Sequence, residues 1–185
     1  GTHQTDICLW GLDVGLPRRI TSMGGKFLWD DTKETPEILS SSYHYPDEQK
    51  MIEVEVRHWC TNQDGDVSVG NIFYGSEGYM TISGSSYFKT FLGQDREPGP
   101  SMTEGSNDHF ANFIEAVRAR DESILTAPVI HAHKSSGLAH LGNIAYRLGR
   151  VLEFDPASES FLGDEEANQM LRRNDREPFV VPEKI

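Results

Sequence analysis

The sequence has 185 residues, 37% of them apolar and 25% charged, which is enough for one domain with its own core or one domain with a small appendage. Its 29 acids against 17 bases leave a net charge of -12, and that balance argues against nucleic acids and anionic membranes, which attract a basic footprint. No run approaches the roughly 18 apolar residues of a membrane helix, and no signal-peptide pattern is present.

Two cysteines, Cys8 and Cys60, do not make a disulfide framework, and a single bridge between them is left open. The first residue is Gly1 rather than an initiator methionine, so the expectation is that the native start lies upstream. Residues 3–13 are predicted to form a short helix. His3, Asp6, Ile7 and Trp10 share one face by their spacing, and Gly15 and Pro17 follow as breakers.

Between residues 18 and 92 the pattern changes to strands. ITSMGGKFLW, ILSSSYHYP, MIEVEVRHWC, VSVGNIFYG, GYMTISG and YFKTFL are short and rich in β-branched and aromatic residues. Turn formers separate them. In the third of these, Ile52, Val54 and Val56 point one way, and Glu53, Glu55 and Arg57 point the other. Residues 94–105, QDREPGPSMTEG, read as a loop by composition.

Two helices follow within residues 107–149. NDHFANFIEAVRAR carries a stripe of Phe110, Phe113, Ile114 and Val117, with Asn107 or Asp108 as its cap. VIHAHKSSGLAHLGNIAYRLGR places Leu138, Leu141, Ile144, Ala145 and Leu148 on one side, and Gly149 suits its end. Residues 150–185 read as an extended tail. It holds a short strand at VLEFDP and a last helix, GDEEANQMLRR, with acids first and arginines last. The final apolar segment is expected to pack back. The fold class is therefore α+β: a largely antiparallel open sheet of about six strands with helices on one face.

The glycines of GNIFYGSEG do not lead from a strand into a helix, so they read as hairpin turns rather than a phosphate loop. There is no nucleophile elbow, and no Cys/His spacing suits a metal. His131 and His133 lie two apart and do not share a helical face, so they read as surface histidines. His3 and Asp6, three apart, could form an acid–base unit, although a surface pair near a helix end is the commoner outcome of that spacing. Trp10 on the same face is more often core. His109 suits the polar start of a helix. Lys134, Ser135, Ser136 and His140 suit a solvated helix face, and Tyr43, His44 and Tyr45 a strand end.

The order of several phrases says more than their spacing. HFANFIEAVRAR, HLGNIAYRLGRVLEFDP, FLGDEEANQMLRR and EPFVVP together resemble the end of Gfo/Idh/MocA-type oxidoreductases, closest to a bacterial subgroup with many sugar-related paralogues. GTHQTDICLWGLDVGLP resembles the first helix of that family's C-terminal domain, and GNIFYGSEGYMTISG its central hairpin. The resemblance spans nearly the whole sequence. It implies a single C-terminal α+β domain over residues 1–185 that supplies a substrate pocket and an open sheet for homo-oligomer contacts. An N-terminal Rossmann domain of the same polypeptide, which would bind NAD or NADP, is expected outside this sequence. The family's Glu-Lys-Pro motif is also missing, and Pro182-Glu183-Lys184 is a coincidence in the wrong order and place. A bacterial protein of this type could be cytoplasmic or exported.

The best-known family members carry an Asp followed four residues later by a catalytic His on this first helix. Asp6 matches the Asp, and Trp10 falls where the His would be. His3 is the nearby replacement, so His3 and Asp6 are the implied catalytic residues at a sugar hydroxyl. Trp10, His109 and Lys134 are the implied substrate contacts. The implied function is the substrate-binding and oligomerisation domain of an oxidoreductase for a sugar or polyol, inactive as this segment alone, with no metal. Two alternatives stand behind it: an NAD-dependent glycoside-cleaving enzyme of the same superfamily, and a non-catalytic binding or assembly module.

Overall fold

The computed structural model describes residues 1–59, 63–65, 67–84, 87–103, 108–173 and 175–181. Cys60, Asn107 and residues 182–184 lie outside these, and with them the Cys8–Cys60 bridge and one of the two expected caps. Among the described residues no helix is long and apolar enough to cross a membrane. The chain forms two compact units. One comprises residues 1–14 and 57–139, the other 15–56 and 140–185.

In the first unit, α1 covers Thr2–Leu12. It ends where Asp13 turns left-handed (φ 50°), so that the amides of Asp13 and Val14 cap the carbonyls of Trp10 and Leu9. The termination thus comes before the expected Gly15 and Pro17. The buried face of α1 is Thr5 and Leu9. Trp10 is 80% exposed, which corrects its placement in the core. Gly11 lies so close to the Phe73 ring that a Cβ would sit 2.8 Å from it, and this lets α1 approach the sheet.

That sheet runs β4 (Gly70–Gly75), β5 (Gly78–Ser83), β6 (Tyr87–Leu92) and β7 (Glu97–Met102), in sequence order. Each neighbour pair is antiparallel. Gly75 pairs with Gly78 across the β4–β5 turn, so GNIFYGSEG is a hairpin, as its glycines suggested. β7 corrects the loop expected at 94–105. Pro98 and Pro100 lower strand propensity, but an edge strand tolerates residues without an N–H. The ladder shifts register between Lys89 and Phe91, beside Thr90, whose hydroxyl donates to the Pro100 carbonyl (2.6 Å).

α2 (His109–Ala119) begins on Asp108, whose side chain accepts from the Ala111 amide. Its stripe has the expected helical period, yet Phe110, Phe113, Ile114 and Val117 are all exposed. Only Ala116 is buried. A 3₁₀ turn, Glu122–Ile124, follows. α3 (Val129–Leu148) gives its first half to this unit and its second to the other.

The second unit holds a five-stranded sheet, ordered β3 (Lys50–Arg57), β2 (Ile38–Tyr45), β1 (Arg19–Gly25), β8 (Leu152–Asp155) and β9 (Ser160–Phe161). β1 pairs antiparallel with β2 and β8, Ile20 facing both Tyr43 and Leu152. Ile20, Tyr43, Tyr45, Ile52, Leu141, Ile144, Leu152, Phe154 and Phe161, with Leu16, Ala145 and Ala167, form the buried apolar set of this unit. Tyr43 and Tyr45 are thus core residues at the end of β2, with His44 exposed between them. Phe154 and Phe161 meet edge to face, centroids 5.2 Å apart.

Gly142 admits α3 to β2, where a methyl would overlap Tyr43 Oη and Ser41 Oγ. Gly149 (φ 64°) ends α3, its amide bonded to the Ala145 carbonyl. The expected ITSMGGKFLW strand stops at Gly25. Beyond it the Glu37 carboxylate, fully buried, accepts the amides of Phe27, Leu28 and Trp29 at 2.6–2.9 Å. Burial opposes ionisation of Glu37, but these three donors outweigh it and hold its pKa below the ordinary carboxylate value.

α4 is Glu165–Gln169 only, capped by Asp164. Arg172 and Arg173 therefore lie past its end instead of in its last turn. Arg150 makes a forked pair with Asp164 (2.9 and 3.1 Å) and reaches Glu166 (2.8 Å). Phe179, Val180 and Val181 are exposed, contrary to a tail that packs back. The class is α+β with antiparallel sheets. The strands number nine among the described residues and divide between two sheets: the strand expected at VLEFDP is β8, and β7 and β9 join those read from the sequence.

Candidate functional site

Within the first unit, the C-terminal part of α1 and the first turns of α3 enclose a cavity of about 160 Å³. Asp6, Leu9, Trp10, Asp13 and Val14 line it from α1 and its end, and His131 and Lys134 from α3. The helical period explains the set. Residues 6, 9, 10 and 13 follow i, i+3, i+4, i+7 along α1, and 131 and 134 are one turn apart on α3. The volume is smaller than the roughly 300–1,000 Å³ of most small-molecule sites.

One buried contact fixes the two helices against each other. Thr5 Oγ1 donates to the Ser135 carbonyl at 2.9 Å, and Thr5 and Ser135 are 3% and 1% exposed. Ser135 Oγ in turn donates to the His131 carbonyl at 2.8 Å. Ser135 is therefore a buried helix-packing residue and not part of a solvated face. On the far side of α1, Asn71 of β4 donates to the Gln4 carbonyl (2.8 Å) and Cys8 Sγ (2.9 Å). Burial pushes the Cys8 thiol pKa up against the opposing effect of Asn71, so this thiol is a packed group and a poor nucleophile.

Of the residues the sequence nominated, Asp6, Trp10 and Lys134 are brought together on this cavity. His3 is exposed on α1 and is not among its lining residues, and neither is His109. His109 rests on Phe110, ring centroids 4.2 Å apart. His131 and Asp13 also line the cavity, and the i+3 relation of His131 to Lys134 is the spacing that puts both on one side of α3. Chemically the lining offers two carboxylates, an imidazole, an ammonium and an indole. Such a set can accept and donate hydrogen bonds to hydroxyl groups and move a proton.

Among the described residues no group of three or more His, Cys, Asp or Glu is placed to hold a metal ion. Among the described residues, glycines do not cradle phosphates either. The β4–β5 turn returns into a strand, and no described glycine-rich turn leads from a strand into a helix, so these residues do not fit a dinucleotide.

Residues 96–181 match the model of the oxidoreductase family, C-terminal alpha/beta domain. No curated protein matches the sequence. Among solved structures, a candidate oxidoreductase from Klebsiella pneumoniae aligns over 92% of this chain and 50% of its own, with TM-score 0.60 and 12% identity. A candidate oxidoreductase from Erwinia carotovora atroseptica aligns over 79% and 46%, with TM-score 0.58 and 19% identity. An oxidoreductase from Agrobacterium radiobacter, solved in complex with NAD+, L-tartaric acid and magnesium, aligns over 83% and 47%, with TM-score 0.54 and 12% identity. At these identities the likeness is one of fold, and the chain spans about half the length of each.

Proposed function

We propose that this chain is a C-terminal domain of the Gfo/Idh/MocA oxidoreductase type, a reading supported by the family match over residues 96–181 and the shared fold, and that it is the substrate-binding half of an NAD(P)-dependent enzyme acting on a sugar or polyol. The observation that carries the proposal is the α1–α3 cavity, where Asp6, Trp10 and Lys134 converge. A polyhydroxylated substrate needs many short polar contacts and an apolar surface for its C–H face. The carboxylates and ammonium supply the first, and the exposed Trp10 indole the second.

The small volume suits a site that is one wall of a larger pocket, completed by a nucleotide-binding domain that would hold NAD or NADP. In this proposal Asp6 stands at the reacting hydroxyl, Trp10 and Lys134 hold the substrate, and an imidazole completes the acid–base pair. His3 is the sequence's own candidate for that imidazole and His109 for a substrate contact, both exposed and outside the cavity lining. Homo-oligomer contacts through an open sheet face belong to the same proposal.

The test is turnover by the protein with its nucleotide-binding domain, given NAD or NADP and a panel of sugars and polyols. NADH or NADPH formation is expected, and Asp6→Asn should lower kcat/KM by about 10²-fold or more, the usual worth of a positioned proton-transfer group. The 185-residue chain alone should give no turnover. Aglycone release from an aryl glycoside without net cofactor reduction would move the reading to glycoside cleavage. Absence of any dinucleotide binding would move it to a non-catalytic module.

A further inference from the structure

We infer, resting on the substrate-site reading above, that Asp13 makes the cavity selective for a sugar or polyol that carries an ammonium group, which its carboxylate receives. Asp6, Trp10 and Lys134 have their roles in that reading, whereas Asp13 is a second lining carboxylate without one. It stands where local physics disfavours a carboxylate. Asp13 ends α1 in the left-handed region (φ 50°), a conformation that glycine and asparagine adopt at less cost. It also puts a negative charge at the C-terminal end of a helix, where the dipole is already negative. Its amide caps α1 by donating to the Trp10 carbonyl at 3.2 Å, which a glycine amide does equally well. Its side chain makes no hydrogen bond or ion pair among the described residues, so nothing within the fold offsets either cost. A residue held against its local preferences on the wall of a cavity points to a function outside the fold.

The surroundings say what that carboxylate receives. The lining sets two carboxylates, Asp6 and Asp13, against one ammonium, Lys134. Asp6 and Lys134 are half-buried and Asp13 is exposed, so the uncompensated negative charge lies in the more open part of the cavity. The negative end of α1 adds to it, and so does the net charge of -12 on the chain. Trp10, three residues before Asp13 in the same lining, presents an indole that is 80% exposed, and an aromatic face attracts cations through its quadrupole. Each of these favours an ammonium and opposes a carboxylate or a phosphate. Lys134 alone works the other way, and as a donor it suits the hydroxyl oxygens of the same ligand.

The experiment uses D-glucamine, D-glucitol and D-gluconate, which differ only at the first carbon and carry there an ammonium, a hydroxyl and a carboxylate. Their dissociation constants for the full protein are measured by isothermal titration calorimetry at neutral pH, where an alkylamine is protonated. D-glucamine should bind about tenfold more tightly than D-glucitol, the worth of one charge-assisted hydrogen bond at an open site, and D-gluconate should bind more weakly than either. High salt should shrink the advantage of D-glucamine. Asp13→Asn should erase it. Asparagine enters the left-handed region readily and brings no charge against the helix dipole, so this variant should melt no lower than the wild type. Lost selectivity is then not lost folding, whereas a lowered Tm would make Asp13 a structural residue and overturn the inference. Glu115→Gln, which neutralises an exposed carboxylate of α2 outside the lining, should keep the preference. D-glucitol bound as tightly as D-glucamine, or a preference that survives Asp13→Asn, overturns the role of Asp13 and leaves the substrate site standing. If neither these three nor any sugar of the panel binds, the substrate-site reading falls, and the inference with it.

Discussion

The two units are stabilised in different ways. In the second, large apolar side chains are buried throughout: Tyr43, Tyr45, Phe154, Ile20 and Leu152 are all essentially inaccessible. Around them, Asp155, Asp164 and Glu37 are each held below the ordinary carboxylate pKa by hydrogen bonds, Asp155 chiefly by Ser158 and Asp164 chiefly by Arg150. In the first, Leu9, Val67, Ala116 and Leu138 are the buried apolar residues among those described, while Trp10, Tyr74, Phe110, Phe113 and Val129 are exposed. The cavity lies in this sparser unit, and single polar contacts such as Thr5–Ser135 set its shape. Sites that bind and release ligands commonly sit where local stability is lower. A well-packed neighbour in the sequence allows that without loss of the fold.

The strongest way to break this comparison is Phe154→Ala. Removing a buried phenylalanine costs about 3–5 kcal/mol. Urea unfolding followed by Trp29 fluorescence should show a loss of that size in the second unit. If hydrogen exchange in α1 and β4 rises in parallel, the two units unfold as one, and the contrast drawn here is only one of packing.

Thr5→Val should cost about 0.5–1.5 kcal/mol, because it removes the hydroxyl's hydrogen bond to the buried Ser135 carbonyl. The loss should be confined to α1 and the first turns of α3, and hydrogen exchange of those amides against those of β1 and β2 would measure it. A uniform loss would sink the idea that this contact acts locally. Gly142→Ala sharpens the other side. Alanine favours a helix by about 1 kcal/mol over glycine, yet here the methyl meets Tyr43 and Ser41 in the core. Overpacking costs about 1–3 kcal/mol, so thermal denaturation should show a lowered Tm where propensity alone predicts a raised one.

The smallest effect is the titration of Glu37. Its folded-state pKa lies below the ordinary value, so the unfolded chain binds a proton first as the pH falls. The stabilisation is complete above about pH 4.3, the ordinary Glu value, and is lost as the pH drops through the depressed one. The amides of Phe27, Leu28 and Trp29 should lose exchange protection over that acid range. Glu37→Gln should abolish the dependence, and an unchanged profile in that variant would show that another group governs the loop.

Much of this contrast was legible in the sequence, and the parts that were not share a cause. β2, β3, β5 and β6 announce themselves by β-branched and aromatic residues between turn formers, and α2 and α3 by period and end signals such as Asp108 and Gly149. β7 was hidden by its prolines, because composition reports propensity and not which edge a segment joins. α4 was over-extended because acids followed by arginines satisfy a helix dipole whether or not the helix continues. The cavity was half visible. Asp6 and Trp10 share a helical face by spacing, but nothing local says that the turn holding His131 and Lys134 lies beside them. That fact rests on a hydrogen bond between Thr5 and Ser135, 130 residues apart.

One consequence of β7 concerns the company this sheet can keep. A sheet with a free border invites another chain to extend it, strand upon strand, and the invitation is written in unspent N–H groups. On β7 two of its six residues, Pro98 and Pro100, have no such hydrogen to give. A foreign strand laid along that border would find a broken ladder, and so would the first layer of a fibril. The same prolines that disguised the strand in the sequence make it a poor template in solution.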